Sequence, residues 1–251
     1  MPGDFDQERG RLRAGAVVDQ QAGARLNGVR HTSSIARSLA LGAVLAAALT
    51  GCGDGAGKPD PAAVPLVEDA NRHMQNESFH ASGTTTAFAG GKQETWWDPA
   101  QGLHMEVTGG VSGDVYCKDG TSYTSADLFA AALRRRGQQI TVPAALRSVY
   151  VTTKSEQGCP AYFTIAQTGS RAADKDRSIE GKQASAVEVA AGSAEDVYFI
   201  ETGRRRLLLL ESRRYGHTSS TVYDSFGEKF TISLPVTEKT MTLEAFRARI
   251  G

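Results

Sequence analysis

DVYFIETGRRRLLLLES, residues 196–212, decides how the chain is read. Residues 196–200 alternate, Thr202-Gly203 is a turn, and four consecutive leucines follow at Leu207–Leu210. An unbroken apolar run of that length, bounded by a turn and by charge, suits a strand buried on both faces. Outward from it the period of two continues. Val187 and Val189 alternate before it. Residues 215–224 follow it, and then Phe230, Ile232 and Leu234 alternate with Lys229, Thr231 and Ser233 until Pro235. The last third is thus expected to hold about five strands, closed by a short helix over 240–250.

The same period governs 78–124. Phe79, Ala81, Gly83, Thr85 and Ala87 share one side of a first strand, and His80, Ser82, Thr84 and Thr86 the other. Ala89-Gly90-Gly91 reads as a hairpin turn, residues 92–97 as the next strand, and Asp119-Gly120 as a tight turn. Leu103, Met105 and Val107 alternate with His104, Glu106 and Thr108, and Val115 and Cys117 with Tyr116 and Lys118. This half is an expected antiparallel meander of four or five strands. Between the halves lies a helical insert. Ser125 is its expected N-cap, Asp127 sits in its first turn, Arg134–Arg136 at its end, and Gly137 stops it. Residues 143–149 suggest a second short helix, 157–167 are ambiguous, and a helix over 66–76 precedes the first strand with Leu66, Ala70 and Met74 on one side. Helix, meander, helical insert, meander is the order of an α+β domain with an antiparallel sheet, not of a doubly wound α/β fold. No internal repeat of 20–50 residues is present.

The first 51 residues have another character. SLALGAVLAAALT, residues 38–50, carries no charge and follows Arg25, Arg30 and Arg37. It is too short to span a bilayer and fits the apolar part of a secretory signal. Without an Arg-Arg pair ahead of it, the general secretory route is expected over the twin-arginine route. Leu49-Thr50-Gly51-Cys52 resembles the bacterial lipobox. The resemblance implies that Cys52 takes a diacylglyceryl thioether and becomes the mature N-terminus. Residues 1–28 are long, polar and mixed in charge for a signal flank, which favours a start at Val29 over an extended cytoplasmic flank. GDGAGKPDPAAVP, residues 53–65, reads as a flexible tether. Its glycines lack the strand and helix that a phosphate loop needs. The expected organisation is export segment 1–51, lipidated cysteine and tether 52–65, and a single domain 66–251.

Charge divides along the same line. The whole chain holds 28 basic and 28 acidic residues. Residues 1–51 contain six Arg and four acids, which leaves 22 basic and 24 acidic, a net −2, from Cys52 onward. Neither total is that of a nucleic-acid binder, and an extracytoplasmic domain would not meet nucleic acid. Three cysteines are too few for a disulfide-rich miniprotein. With Cys52 assigned to lipid, Cys117 and Cys159 are expected to form a bridge in the oxidising compartment, two free thiols being the alternative.

The C-terminal segments, SIEGKQASAVEVA, DVYFIETGRRRLLLLES and STVYDSFGEKFTISLP, together with SFHASGTTT at 78–86, are similar to a pattern in actinobacterial lipoproteins of the LppX/LprA/LprF/LprG type. That family shares its fold with the periplasmic carrier LolA. The resemblance covers about 66–251 and implies an antiparallel half-barrel sheet wrapped over helices. Its implied function is non-catalytic: binding or moving an acylated lipid or other apolar ligand in a cavity between sheet and helices. The alternative is a surface sensor with a closed core and a protein partner. The expected cavity lining is Phe79, Leu103, Met105, Val107, Phe199 and Ile232. The expected location is the extracytoplasmic face of the cell membrane, held by the lipid on Cys52. Arg204–Arg206 stands where the family often has a proline-containing turn, and 154–170 does not follow the pattern. Arg 20 against Lys 8 is the bias of a GC-rich genome.

No cofactor or metal is expected. His73, His80, His104 and His217 form no two-residue metal motif, and no GxSxG elbow is present. His80 and His104 read as solvated strand residues, and Asp174 with Asp176 as a polar turn. Trp96-Trp97 places one indole on each side of a strand, one for the core and one available to a ligand or partner. The basic runs Arg134–Arg136, Arg204–Arg206 and Arg213-Arg214 read as a helix end and hairpin tips ahead of a contact with anionic headgroups.

Overall fold

The computed structural model describes residues 59–87, 90–214 and 216–250. The expected export segment, Cys52 and the expected tether up to Lys58 lie outside the described residues. Helix α1 spans Val64–Asn76, with Pro65 in its first turn, where a missing N–H costs nothing. Its buried residues, Leu66, Val67, Ala70 and Met74, lie on one side. The tether ends earlier than expected. Asp60 accepts hydrogen bonds from the backbone N–H of Ala62 and of Arg171, both 2.9 Å or shorter, and this ties the chain to the domain before the helix begins.

Five strands then run as a meander: β1 Phe79–Thr84, β2 Lys92–Asp98, β3 Gly102–Thr108, β4 Gly113–Lys118 and β5 Thr121–Ser125. Each pairs antiparallel with the next. The β4–β5 turn is set by Asp119 and Gly120, both at positive φ (48° and 70°), as a two-residue hairpin needs. Helix α2, Ala126–Arg134, follows without a break. Ser125 stands at the N-cap but its side chain makes no capping hydrogen bond, and the Ala126 N–H donates to the Val149 carbonyl. Strand β6, Tyr150–Lys154, returns beside β5. Residues 143–149 hold only a 3-10 turn at Ala144–Leu146, and the ambiguous segment holds another at Cys159–Tyr162.

The second half contains β7 Ser170–Arg171, β8 Arg177–Ile179, β9 Lys182–Ala191, β10 Ala194–Glu201, β11 Leu207–Arg214 and β12 His217–Asp224, then β13 Thr240–Thr242 and α3 Leu243–Ile250. Strand β12 pairs antiparallel with β1, which joins the two meanders into one open sheet. The order across it is β13-β6-β5-β4-β3-β2-β1-β12-β11-β10-β9-β7, with β8 also on β9, and only β13–β6 is parallel among the described residues. The expected strand over 229–234 does not form. Both edges of β12 are already used, by β1 and β11, so the segment has no ladder to join. The expected helix over 240–250 is split, its first three residues serving as β13.

Side-chain alternation gives the sheet two faces. The inner face carries Phe79, Ala81, Trp97, Leu103, Met105, Val107, Val115, Tyr198, Ile200 and Tyr223, buried in one cluster with α1 and with Phe163 and Ile165. On the outer face of the second half, Ala184, Ala186, Val197, Phe199, Leu208 and Leu209 form a second cluster under Ala172 and Ile179. The leucine run reaches both faces through a bulge: Phe199 pairs with Leu209, but Ile200 with Leu207, so Leu208 is the extra residue. A third cluster packs α2 and α3 on β6, with the Phe129 and Phe246 rings edge to face at 5.7 Å. Among the described residues no helix is long and apolar enough to cross a membrane.

Cys117 on β4 is bonded to Cys159, with their Cα atoms 5.5 Å apart. The bridge sets the 159–165 segment against the inner face. Phe163 meets Phe79 edge to face at 5.2 Å, and Trp97 at 5.1 Å. Asn71 of α1 holds the same segment, donating to the Ile165 carbonyl at 2.9 Å and accepting its N–H at 2.8 Å.

Two outcomes are expected. Reducing the bridge, or replacing both cysteines by serine, should lower unfolding stability by about 4 kcal/mol for a loop this long, read from denaturant titration. Gly83→Ala should be far worse than a surface change. A Cβ there would stand 1.9 Å from the Ser220 carbonyl oxygen, which is backbone of β12 and cannot move aside. A loss above roughly 2 kcal/mol is the expected reading.

Candidate functional site

Two surfaces carry chemistry, one on each face of the sheet. On the inner face, Phe79, Leu103, Met105 and Val107 are buried in one core cluster with residues of α1. Phe79, Leu103 and Val107 are 0 % exposed and Met105 6 %. Phe199 does not join them. Strand alternation sends Tyr198 and Ile200 inward and Phe199 outward, where the Arg177 guanidinium covers its ring at 4.0 Å. Ile232 is buried in the segment after β12 but belongs to neither cluster.

Tyr198 and Ile200 share their side of β10 with Asp196, a residue that composition and motif gave no reason to single out. Its side chain is 8 % exposed. Oδ2 pairs with the Arg214 guanidinium, while Oδ1 has no hydrogen-bond partner. Two tyrosines flank it. Burial pushes the Tyr198 and Tyr223 phenols up, and the Asp196 charge adds to this, so both stay protonated. Trp97 Nε1 and Thr124 Oγ1, also on the inner face, are buried without partners. The signal in the sequence was parity: Asp196 occupies an inward position of an otherwise apolar row.

The outer face of the first half carries a cross-strand ladder of rings. His80 lies 5.4 Å from Trp96, Trp96 5.3 Å from His104, and His104 4.3 Å from Tyr116 with nearly parallel planes; Tyr150 closes on Tyr116 at 5.8 Å. His80 is 3.0 Å from Asp224, and His104 2.8 Å from Asp114. These histidines are therefore only about a fifth exposed and are partnered, not simply solvated. Burial, then the Asp114 charge, pushes the Tyr116 phenol up to about 12. Trp97 is the core indole and Trp96 the outer one, its faces engaged by the two histidines. Such pairs contribute to sheet stability strand by strand.

Beyond the ladder, the outer face of β10–β12 borders a cleft of about 510 Å³ lined by Lys175, Glu195, Glu211, Arg213, Thr218 and Ser220 among others. Its charges are mutually paired: Lys175 with Glu188 and Glu195, Arg213 with Glu195, and Arg177 with Glu211. The basic runs are similarly engaged. Arg206 bonds Glu77 at the end of α1 and stacks over Phe226, Arg205 approaches Asp69, and Arg134 and Arg135 donate to backbone carbonyls. Asp174 lies in a 3-10 turn. Among the described residues no group of three His, Cys, Asp or Glu is placed to hold a metal ion.

No protein-family model matches the sequence, nor does any curated protein sequence. Similar solved structures include LprF from Mycobacterium bovis, at 14 % identity over 71 % of this chain and 99 % of that one, TM-score 0.40. They also include the lipoprotein LppX from Mycobacterium tuberculosis, at 10 % identity over 69 % and 100 %, TM-score 0.42. The MucA/MucB complex of Pseudomonas aeruginosa matches at 10 % identity over 70 % and 59 %, TM-score 0.39. These likenesses concern chain layout alone.

One group links this region to pH. Asp176 accepts from Arg171 and from the Ala186 N–H, and the Arg171 bond chiefly holds its carboxyl below the ordinary carboxylate range. A depressed folded value means stabilisation that is complete above the unfolded pKa, about 3.9, and lost as pH falls through the folded one. Asp176→Asn should therefore cost stability at pH 6, with the deficit shrinking as pH falls below about 4, measured by denaturant unfolding across pH.

Proposed function

We propose that this chain is a non-catalytic binding protein, held by lipid on Cys52 at the extracytoplasmic face of the cell membrane, that takes a lipid or other apolar ligand on the inner face of a half-barrel sheet. One observation carries the reading. The inner face is apolar from β1 to β4 except at Thr95, and again at β10 and β12 around Asp196, and its cover consists of α1 and the 159–165 segment. That cover is joined to the sheet by side-chain packing, the Glu77–Arg206 pair, the Tyr162–Ser122 hydrogen bond and one disulfide, while the Asn71–Ile165 pair ties its two pieces to each other. A helix so held can be displaced. The bridge between Cys117 and Cys159 and the apolar run ahead of Cys52 support the extracytoplasmic location.

Magnitudes restrict the ligand. Uncovering Leu66, Val67 and Met74 costs about 1.5–3 kcal/mol each. At about 0.8 kcal/mol per buried methylene, roughly six to eleven methylenes are needed to offset the whole. A long acyl chain meets that condition and a short apolar molecule does not. A second reading, a surface protein with a closed core and a protein partner, is favoured by the complete burial of Phe79, Leu103 and Val107.

Native mass spectrometry of the lipidated chain, released gently from membranes, separates the two. Co-retained long-chain lipid, displaced by added palmitate but not by octanoate, is the expected result. A ligand-free spectrum together with a specific protein partner recovered by crosslinking in intact membranes would favour the second.

A further inference from the structure

We propose that the Asp196–Arg214 pair, with Tyr198 and Tyr223, is a site for the polar head of an amphiphile that presents a hydrogen-bond donor, a hydroxyl or an N–H-bearing ammonium. The inference deepens the preceding one and rests on it. Asp196 is more than nine-tenths buried, and its Oδ1 has no partner. A buried carboxylate oxygen left unbonded costs more than almost any other polar atom, so its retention on an apolar face calls for a group that completes it. The missing group must be a donor. Arg214 already engages Oδ2, so an anionic head would have to displace Asp196 from the guanidinium, whereas a hydroxyl or ammonium meets an open acceptor.

The surroundings fit an amphiphile better than a free polar molecule. Val187, Ile200 and Leu210 adjoin the pair on the same face. Phe79 and the apolar rows of β1–β3 begin three strands away across β11 and β12, at roughly 14 Å by strand spacing. A chain lying over those rows would bring its head to Asp196. The protonated phenols of Tyr198 and Tyr223 keep the pocket from gathering further negative charge, and each can donate or accept beside the head. Among the described residues no metal-holding group of three is formed here, so a metal ion is not the missing partner.

The test uses the full chain loaded from vesicles with lipids in matched pairs of identical palmitoyl chains. One pair is dipalmitoylglycerol against its 3-O-methyl ether. The other is dipalmitoyl phosphatidylethanolamine against the phosphatidylcholine. Retention is read by native mass spectrometry. In at least one pair the donor-bearing lipid should be retained roughly tenfold or more over its methylated partner. The glycerol pair identifies a hydroxyl head and the phospholipid pair an ammonium. Asp196→Asn should abolish that preference and leave the methylated lipid unchanged. Equal retention within both pairs, or a preference that survives Asp196→Asn, would overturn the site while leaving the binding function in place. Retention of no lipid at all would overturn both. Should the variant fail to fold, the paired comparison in the native chain decides alone.

Discussion

Strand β1 holds the molecule together. On one edge it pairs with β2, its neighbour in sequence, and on the other with β12, some 140 residues away. Each half is built mainly of local hairpins, and among the described residues this ladder and the short β13–β6 pair are what join them into a single sheet. The β1–β12 ladder tolerates no side chain at Gly83, where the β12 backbone comes too close for a Cβ. The apolar end of the same strand, Phe79, is the hub of the inner core, touching Phe163, Tyr223 and Phe226. Backbone pairing and side-chain packing are therefore concentrated in six residues.

Helix α1 shares one core cluster with residues of both halves. Leu103 and Val107 belong to the first meander, Tyr198 and Ile200 to the second. The disulfide-bound segment 159–165, hydrogen-bonded to Asn71, packs in the same cluster. Any ligand on the inner face would compete with contacts that also hold the two halves together.

Much of this was legible in the sequence because period two is a strong local signal. Leu103, Met105 and Val107 against His104 and Glu106 fix a strand and its faces at once, and the Leu207–Leu210 run marks a strand with apolar surroundings on both sides. What failed had non-local causes. Residues 229–234 alternate well enough for a strand, but β12 has no free edge to offer them. Ser125 has the chemistry and the position of an N-cap, yet its hydroxyl makes no capping hydrogen bond. Phe199 was placed inward because it is apolar. The second outer-face cluster, under Ala172 and Ile179, makes apolar residues on β10 point both ways, so parity and not hydropathy decides. The same argument hid Asp196, whose inward position is visible only once the register of β10 is known. His80 and His104 were read correctly as lying on the polar side, but their carboxylate partners sit on other strands, and local pattern says nothing of them.

The parallel pairing of β13 with β6 has a further consequence. Residues 240–242 complete an edge laid down by residues 150–154, and α3 then packs Phe246 against Phe129 of α2. For a chain that emerges N-terminus first, β6 remains an open edge until nearly the last residue appears, as β1 does until β12 arrives. Open edges of this kind invite pairing with other chains. Two ladders, β1–β12 and β13–β6, therefore close only when late residues arrive, and until then both edges stay open to pairing with another chain.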